Sequence, residues 1–102
     1  MKSYNKAIRD KIPEIIQKDG KSCDFKQLSD DEFLVQLEKK LYEEIEEYTQ
    51  SKSIEELVDL LEIIERIAEL KGTTVSKLFE IKNLKIEKRG KFEKNLFLIS
   101  TD

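Results

Sequence analysis

The sequence predicts an all-α fold, a bundle of about four helices in a single domain spanning residues 1–102. Three observations predict it. Apolar residues recur at helical spacing over most of the chain, Ser-x-x-Glu capping boxes precede two of these runs, and all three glycines follow such runs. The connections are short, and a chain of this length can bury one modest core.

The two irregular parts of the chain lie at residues 21–28 and at the C-terminus. Pro13 fits the first turn of a short helix that ends before Gly20. Residues 21–28 have no helical periodicity, so we expect a loop or a short extended segment. The tail KFEKNLFLIS has strand-like composition, and its only evident partner is that segment.

Helix-start signals define the other three helices. Ser29 with Glu32 forms one predicted capping box, and Ser53 with Glu56 forms another. The glycine at position 72 ends the second of these helices. The predicted helices run from Ser29 to about Gln50, from Ser53 to before Gly72, and from Thr73 or Thr74 to about Lys88.

Composition restricts the classes of function. The chain is 38% apolar and 40% charged, so we expect neither a membrane span nor disorder. A net charge of −3 argues against nucleic acid as a binding partner. Cys23 is the only cysteine and no signal-peptide pattern opens the chain, which favours the cytoplasm. Without histidine, carboxylates are the available metal ligands, and they favour Mg²⁺ or Mn²⁺.

One predicted hairpin concentrates negative charge. Eight carboxylates lie between Glu43 and Glu62, and only Lys52 interrupts them. Like charges one turn apart weaken a helix, so the direction of each side chain matters. On a helical wheel, Glu44 lies on the apolar side of its helix and Glu47 on the flank of that side, whereas Glu43 points away.

Four of these carboxylates are predicted to meet. In the second helix of the hairpin, Glu56 lies inside the apolar arc and Asp59 at its edge. A turn at residues 51–52 aligns Glu56 with Glu47, and it likewise aligns Asp59 with Glu44. Packed helices lie ~8–10 Å apart, and burying like charges without a counterion is costly. The pattern therefore predicts one or two divalent cations held by these four residues.

Two simpler interpretations stay open at this stage. Glu56 is also explained as the capping-box residue that follows Ser53, and a Glu-rich helix surface is commonly just solvated. The matching alternative for function is a non-catalytic helical interaction module whose acidic hairpin binds a basic partner.

Two groups of cations point to a phosphate-bearing substrate. One lies on or beside the apolar stripe of the last helix, on a face that is predicted to point inward, and the other lies near the N-terminus. Aliphatic stems that reach to solvent explain any single lysine, and a solvated surface explains the N-terminal group equally well. Together with the carboxylates, the cations suggest contacts to phosphate or sugar. The groups are Lys82, Lys85 and Arg89, and Lys6, Arg9 and Lys11.

Three segments resemble those of one superfamily. KLYEEIEEY (40–48) followed by EELVD (55–59) resembles the E-E-x-x-E…E-x-x-D signature of the all-α NTP pyrophosphohydrolases, the MazG-like superfamily. YNKAIRDKIPEII (4–16) and KIEKRGKFEKNLFL (85–98) resemble the ends of its short members, often labelled phosphoribosyl-ATP pyrophosphohydrolase-like.

The resemblance implies an activity and roles for the acidic residues. It implies Mg²⁺-dependent hydrolysis of a nucleoside triphosphate between its α- and β-phosphates, often to clear non-standard nucleotides, by a homo-oligomer that is commonly a dimer. Glu43, Glu44 and Glu47 match its first acidic motif, and Glu56 and Asp59 its second. Glu44, Glu47, Glu56 and Asp59 would then hold the metal, and Glu44 or Glu43 would act as general base. Phosphoribosyl-ATP hydrolysis is an alternative within this class.

Overall fold

Four helices account for the regular structure of the protein. In a computed structural model, which describes residues 2–102, no strand occurs within that range. The predicted all-α class and the number of helices are therefore confirmed, and the observed boundaries lie within about two residues of the predicted ones. The helices are α1 (Ile12–Lys18), α2 (Asp30–Ser51), α3 (Ile54–Leu70) and α4 (Val75–Arg89).

The irregular segments lie where the sequence predicts them. Residues 21–28 and 91–102 carry no regular structure. The strand-like composition of the tail does not produce a strand, since a strand needs a paired neighbour for its backbone groups. Nearly all tail side chains, including Phe92 and Phe97, are exposed.

The start of α2 is a complete capping box, as predicted. The Ser29 hydroxyl accepts a hydrogen bond from the Glu32 backbone N–H at 3.2 Å. The Glu32 carboxylate in turn accepts from the Ser29 backbone N–H at 3.1 Å. Two of the backbone N–H groups that a helix start leaves unpaired are therefore satisfied by the capping box.

The start of α3 differs from the prediction. The Ser53 hydroxyl accepts from the backbone N–H of Glu55 at 3.2 Å, and the Ser53 N–H donates to the Ser51 hydroxyl at 3.2 Å. The predicted capping box between Ser53 and Glu56 is wrong. The backbone N–H of Ser53, which the Glu56 carboxylate would have to accept from, already donates to the Ser51 hydroxyl. The Glu56 carboxylate is consequently left for other contacts.

A very short turn joins α2 to α3. Lys52 adopts the left-handed conformation (φ 57°, ψ 21°) and its N–H donates to the Tyr48 carbonyl at 2.8 Å, while Ser53 is extended. A left-handed residue followed by an extended one reverses the chain within two positions. The two helices therefore pack as an antiparallel hairpin, which fixes which carboxylates face each other.

The buried core joins the N-terminal segment to this hairpin. Ala7 packs with Leu37 of α2 and Ile63 of α3. Around them lie the half-buried side chains of Phe33, Leu41, Ile67 and Leu70. Ala7 therefore anchors an otherwise irregular segment across both long helices.

The rest of the chain extends away from this core. Among the described residues α4 packs against α3 but not against α2. The chain measures 60 × 32 × 24 Å with a radius of gyration of 18.0 Å, against about 13 Å for a compact domain of this length. Within residues 2–102, no helix combines the length and the apolar composition needed to cross a membrane.

One face of α3 is apolar and exposed. It consists of residues spaced three or four apart, which share one side of a helix. A surface of this kind on a single chain is typical of an interaction site. Its members are Ile54, Leu57, Val58, Leu61 and Ile64.

Candidate metal centre and the adjoining cleft

Glu44 places an ionisable carboxyl group in the protein interior. It lies two turns after Leu37 on the same face of α2, and its surface is only 5% exposed, which makes it the buried charged residue of the chain from residue 2 to 102. Its Oε1 lies 3.7 Å from the Lys40 ammonium. Its Oε2 is buried and has no hydrogen-bond partner among the described residues.

An unpartnered buried carboxylate oxygen requires an explanation, because it loses water and gains nothing in return. Its neighbours across the hairpin are carboxylates as well. One oxygen each from Glu44, Glu56 and Asp59 lie within 4.8 Å of one another. The aligned turn brings Glu44 and Asp59 together as the sequence arithmetic predicts, and Glu56 joins them, whereas its predicted counterpart Glu47 is not in the group. Their role as metal ligands stays a prediction.

The three residues fit a hard divalent cation. Mg²⁺ prefers oxygen ligands at about 2.1 Å, usually a few carboxylates together with water or phosphate. A cation would supply the missing partner of Glu44 and would offset the repulsion among the three carboxylates. The chemistry of the donor set and the unpaired oxygen therefore point to the same kind of ligand.

Glu47, the fourth predicted ligand, lies beside this group rather than within it. Its side chain is exposed, yet it lies close enough to Glu44 and Glu56 to raise the pKa of both. Burial is the main cause of the pKa of Glu44 rising to about 7, with Glu47 adding to it and Lys40 opposing it. Burial is also the main cause of the raised pKa of Glu56.

The N-terminal segment places cations at the edge of the carboxylate group. Lys6 lies 3.5 Å from the Glu43 carboxylate. Arg9 binds Glu62 through two hydrogen bonds of 2.7 and 2.9 Å, and its Nη2 also donates to Asp59 at 2.5 Å. The hydrogen bonds from Arg9 lower the pKa of Glu62.

Glu62 is a residue of this site that sequence reasoning missed. The helical wheel places it on the polar back of α3, away from the core. The available signal was its spacing, since Glu56, Asp59 and Glu62 follow one another at intervals of three residues. That spacing makes an acidic edge along α3, and Arg9 of the N-terminal segment contacts this edge at Asp59 and Glu62.

A cleft of about 500 Å³ opens beside the carboxylates. It lies between the N-terminal segment and the α2–α3 hairpin, so both signs of charge face it. A cleft of this size accommodates a small charged molecule. Its charged lining consists of Lys6, Arg9, Asp10, Lys40, Glu44, Asp59, Glu62 and Arg66.

The cations of α4 do not face inward in this chain, contrary to the sequence prediction. Lys82, Lys85 and Arg89 are all exposed, because α4 meets only α3 and leaves its other sides open. Lys82 lies 5.1 Å from the Phe79 ring, which is partly exposed too. Lys11, at the start of α1, is exposed and is not part of the cleft lining.

Comparison with known protein families, with curated proteins and with solved structures finds no match to this chain. The superfamily resemblance therefore depends on its three sequence segments.

The buried carboxyl of Glu44 makes stability depend on pH in the absence of metal. Its pKa is about 7 in the folded chain against an ordinary 4.5, so the folded state holds the proton more tightly than the unfolded one. The stabilisation is complete below the ordinary pKa and is lost as pH rises through about 7. From about pH 5 to about pH 8, the free energy of unfolding should fall by about 1–3 kcal/mol more in the wild type than in Glu44→Gln.

Urea denaturation in buffers with chelator measures this difference. Glu46→Gln is the matched control, because Glu46 is an exposed neighbour on the same helix and its loss should leave the wild-type pH dependence intact. Parallel pH profiles for the wild type and Glu44→Gln would contradict the buried, raised-pKa carboxyl.

Proposed function

We propose that this protein is a Mg²⁺-dependent nucleoside triphosphate pyrophosphohydrolase, which cleaves between the α- and β-phosphates to give a monophosphate and pyrophosphate. The observation that carries the proposal is the buried Oε2 of Glu44, which lies beside Glu56 and Asp59 and has no hydrogen-bond partner within residues 2–102. The sequence resemblance supplies the reaction type. A cytoplasmic role in clearing non-standard nucleotides fits this activity.

Each acidic residue has a part in the proposed reaction. Glu44, Glu56 and Asp59 would hold the metal, with Glu47 next to them as the fourth ligand. Mg²⁺, or Mn²⁺ in its place, would supply a bound water of lowered pKa and neutralise phosphate charge. Glu43 or Glu44 would serve as the general base towards that water. The link between Glu43 and the site is Lys6, which lines the cleft and lies 3.5 Å from the Glu43 carboxylate.

The cleft supplies the contacts to phosphate. Lys6 and Arg9 line it beside the carboxylates, where a metal-bound polyphosphate would place its remaining negative charge. The proposal draws on these two cations rather than on those of α4, which lie on exposed surface. Arg9 is suited to phosphate because its planar fork already makes a bidentate contact here with a carboxylate.

Loss of a proposed ligand should abolish activity. Glu56→Gln and Asp59→Asn keep side-chain size but remove the charge that binds the metal, so each should lower kcat/KM by about 100-fold or more. The measurement is Mg²⁺-dependent pyrophosphate release from canonical nucleoside triphosphates, from damaged nucleoside triphosphates and from phosphoribosyl-ATP.

The control for this experiment is Glu46→Gln, which removes one exposed carboxylate from α2 and should change kcat/KM by less than about twofold. Full activity in Glu56→Gln and Asp59→Asn would remove those residues from the mechanism. A folded wild type that releases no pyrophosphate from any of the nucleotides would favour the alternative, an acidic interaction module.

We also propose that the chain functions as a homo-oligomer, with α3 of a second copy covering the exposed apolar face of α3. The elongated shape and the row of exposed apolar side chains both support a second copy of this chain as the occupant. A helix face with this spacing can pack against its own equivalent about a two-fold axis.

A charge in the middle of this face should dissociate the oligomer. Leu61→Glu places a carboxylate where two copies would meet, so the measured mass in solution should fall to that of one chain. Ser76→Glu is the control, since it adds the same charge to exposed surface on α4. Light scattering coupled to size exclusion distinguishes the outcomes, and a monomeric wild type would refute the interface.

A further inference from the structure

Arg9 is bound to two carboxylates, of which one is a proposed metal ligand and the other is not. Its guanidinium forms a bidentate pair with Glu62, which is not a proposed metal ligand. It also makes a single hydrogen bond with Asp59, which is one. Asp59 therefore already has a cation as a direct partner at its Oδ1. Arg9 does not reach Glu44, whose Oε2 is left without a partner among the described residues.

Like charges make these two arrangements compete. A divalent ion held by Asp59 would lie within a few ångströms of the guanidinium, and two positive charges at that distance repel each other strongly in a partly buried site. The contact between Asp59 and Arg9 should therefore weaken or break when a metal binds. The pair with Glu62 remains available because Glu62 lies one turn further along α3.

The backbone around Arg9 is suited to such an exchange. Ala7, two residues earlier, is buried against Leu37 and Ile63, so the segment is fixed to the hairpin. The Arg9 side chain itself is about half exposed, and its tip is held by hydrogen bonds to the two carboxylates. Only side-chain rotation is needed for the guanidinium to leave Asp59.

We propose that Arg9 is a built-in counterion of the carboxylate group. A divalent metal displaces the Arg9 guanidinium from Asp59, and Glu62 then keeps the guanidinium beside the cleft. The inference depends on the metal site of the proposed function, and it adds a residue that sets the affinity of that site. Before the metal arrives, Arg9 offsets part of the carboxylate repulsion. After displacement, the same guanidinium is free on its Asp59 side to meet phosphate.

Removal of the competing cation should tighten metal binding. In Arg9→Gln, the dissociation constant for Mn²⁺, measured on the full chain by electron paramagnetic resonance without nucleotide, should fall about fivefold or more. The melting temperature without metal should fall in the same variant, because the carboxylates lose their counterion. A merely structural arginine would lower the melting temperature and weaken metal binding together.

Arg66→Gln is the matched control. Arg66 lines the same cleft and carries the same charge, but its ion pair is with Glu69 at 3.4 Å rather than with Asp59. It should change the Mn²⁺ dissociation constant by less than about twofold, since a charge without direct contact is screened by solvent. Arg9→Lys keeps the charge without the planar fork and should give an intermediate affinity, which also guards against a misfolded Arg9→Gln.

A double-variant comparison tests the retaining role of Glu62. Glu62→Gln should weaken Mn²⁺ binding when Arg9 is present, because the guanidinium then holds Asp59 alone, and should have much less effect in the Arg9→Gln background. Equal effects in both backgrounds would show that Glu62 acts by its charge alone and would overturn this role.

The outcomes separate this inference from the proposed function. A wild type that binds no Mn²⁺ overturns both the metal site and the counterion. A wild type that binds Mn²⁺, together with an Arg9→Gln variant that binds it no more tightly than Arg66→Gln does, overturns the counterion and leaves the metal site standing.

Discussion

The buried carboxylate of Glu44 is the constraint on which the rest of the site depends. Its Oε2 has left water without finding a partner among residues 2–102, and the nearest polar groups across the hairpin, Glu56 and Asp59, are acids too. Such an arrangement is unfavourable for a chain that has nothing to bind. Burial, together with the neighbouring carboxylates, raises the pKa of Glu44, so its carboxyl group holds a proton more tightly. A divalent cation would take the place of that proton.

Much of this arrangement is predictable because it depends on local rules. The helical spacing, the Ser29 capping box and the glycine stops define the four helices, and a two-residue reversal aligns α2 with α3. Once that alignment is known, the wheel positions of Glu44 and Asp59 bring them together. The resemblance to the NTP pyrophosphohydrolases then adds a reaction, which residue spacing alone does not supply.

The parts that sequence reasoning missed depend on contacts between distant segments. Nothing in the pattern around Ala7 shows that it packs on Leu37 and Ile63, and that contact is what carries Arg9 to Glu62. The inward orientation predicted for the α4 cations failed for a related reason. An apolar stripe shows which side of a helix is to be buried, but not whether one helix or two will bury it. Within residues 2–102, α3 is the only helix that packs against α4.

The most direct test of the central claim is the melting temperature with and without millimolar Mg²⁺, because a ligand that binds only the folded chain stabilises it by mass action. We expect Mg²⁺ to raise the melting temperature of the wild type and of Glu46→Gln, and to leave that of Glu44→Gln unchanged. An equal rise in all three proteins, or no rise in the wild type, would contradict a divalent cation held at Glu44.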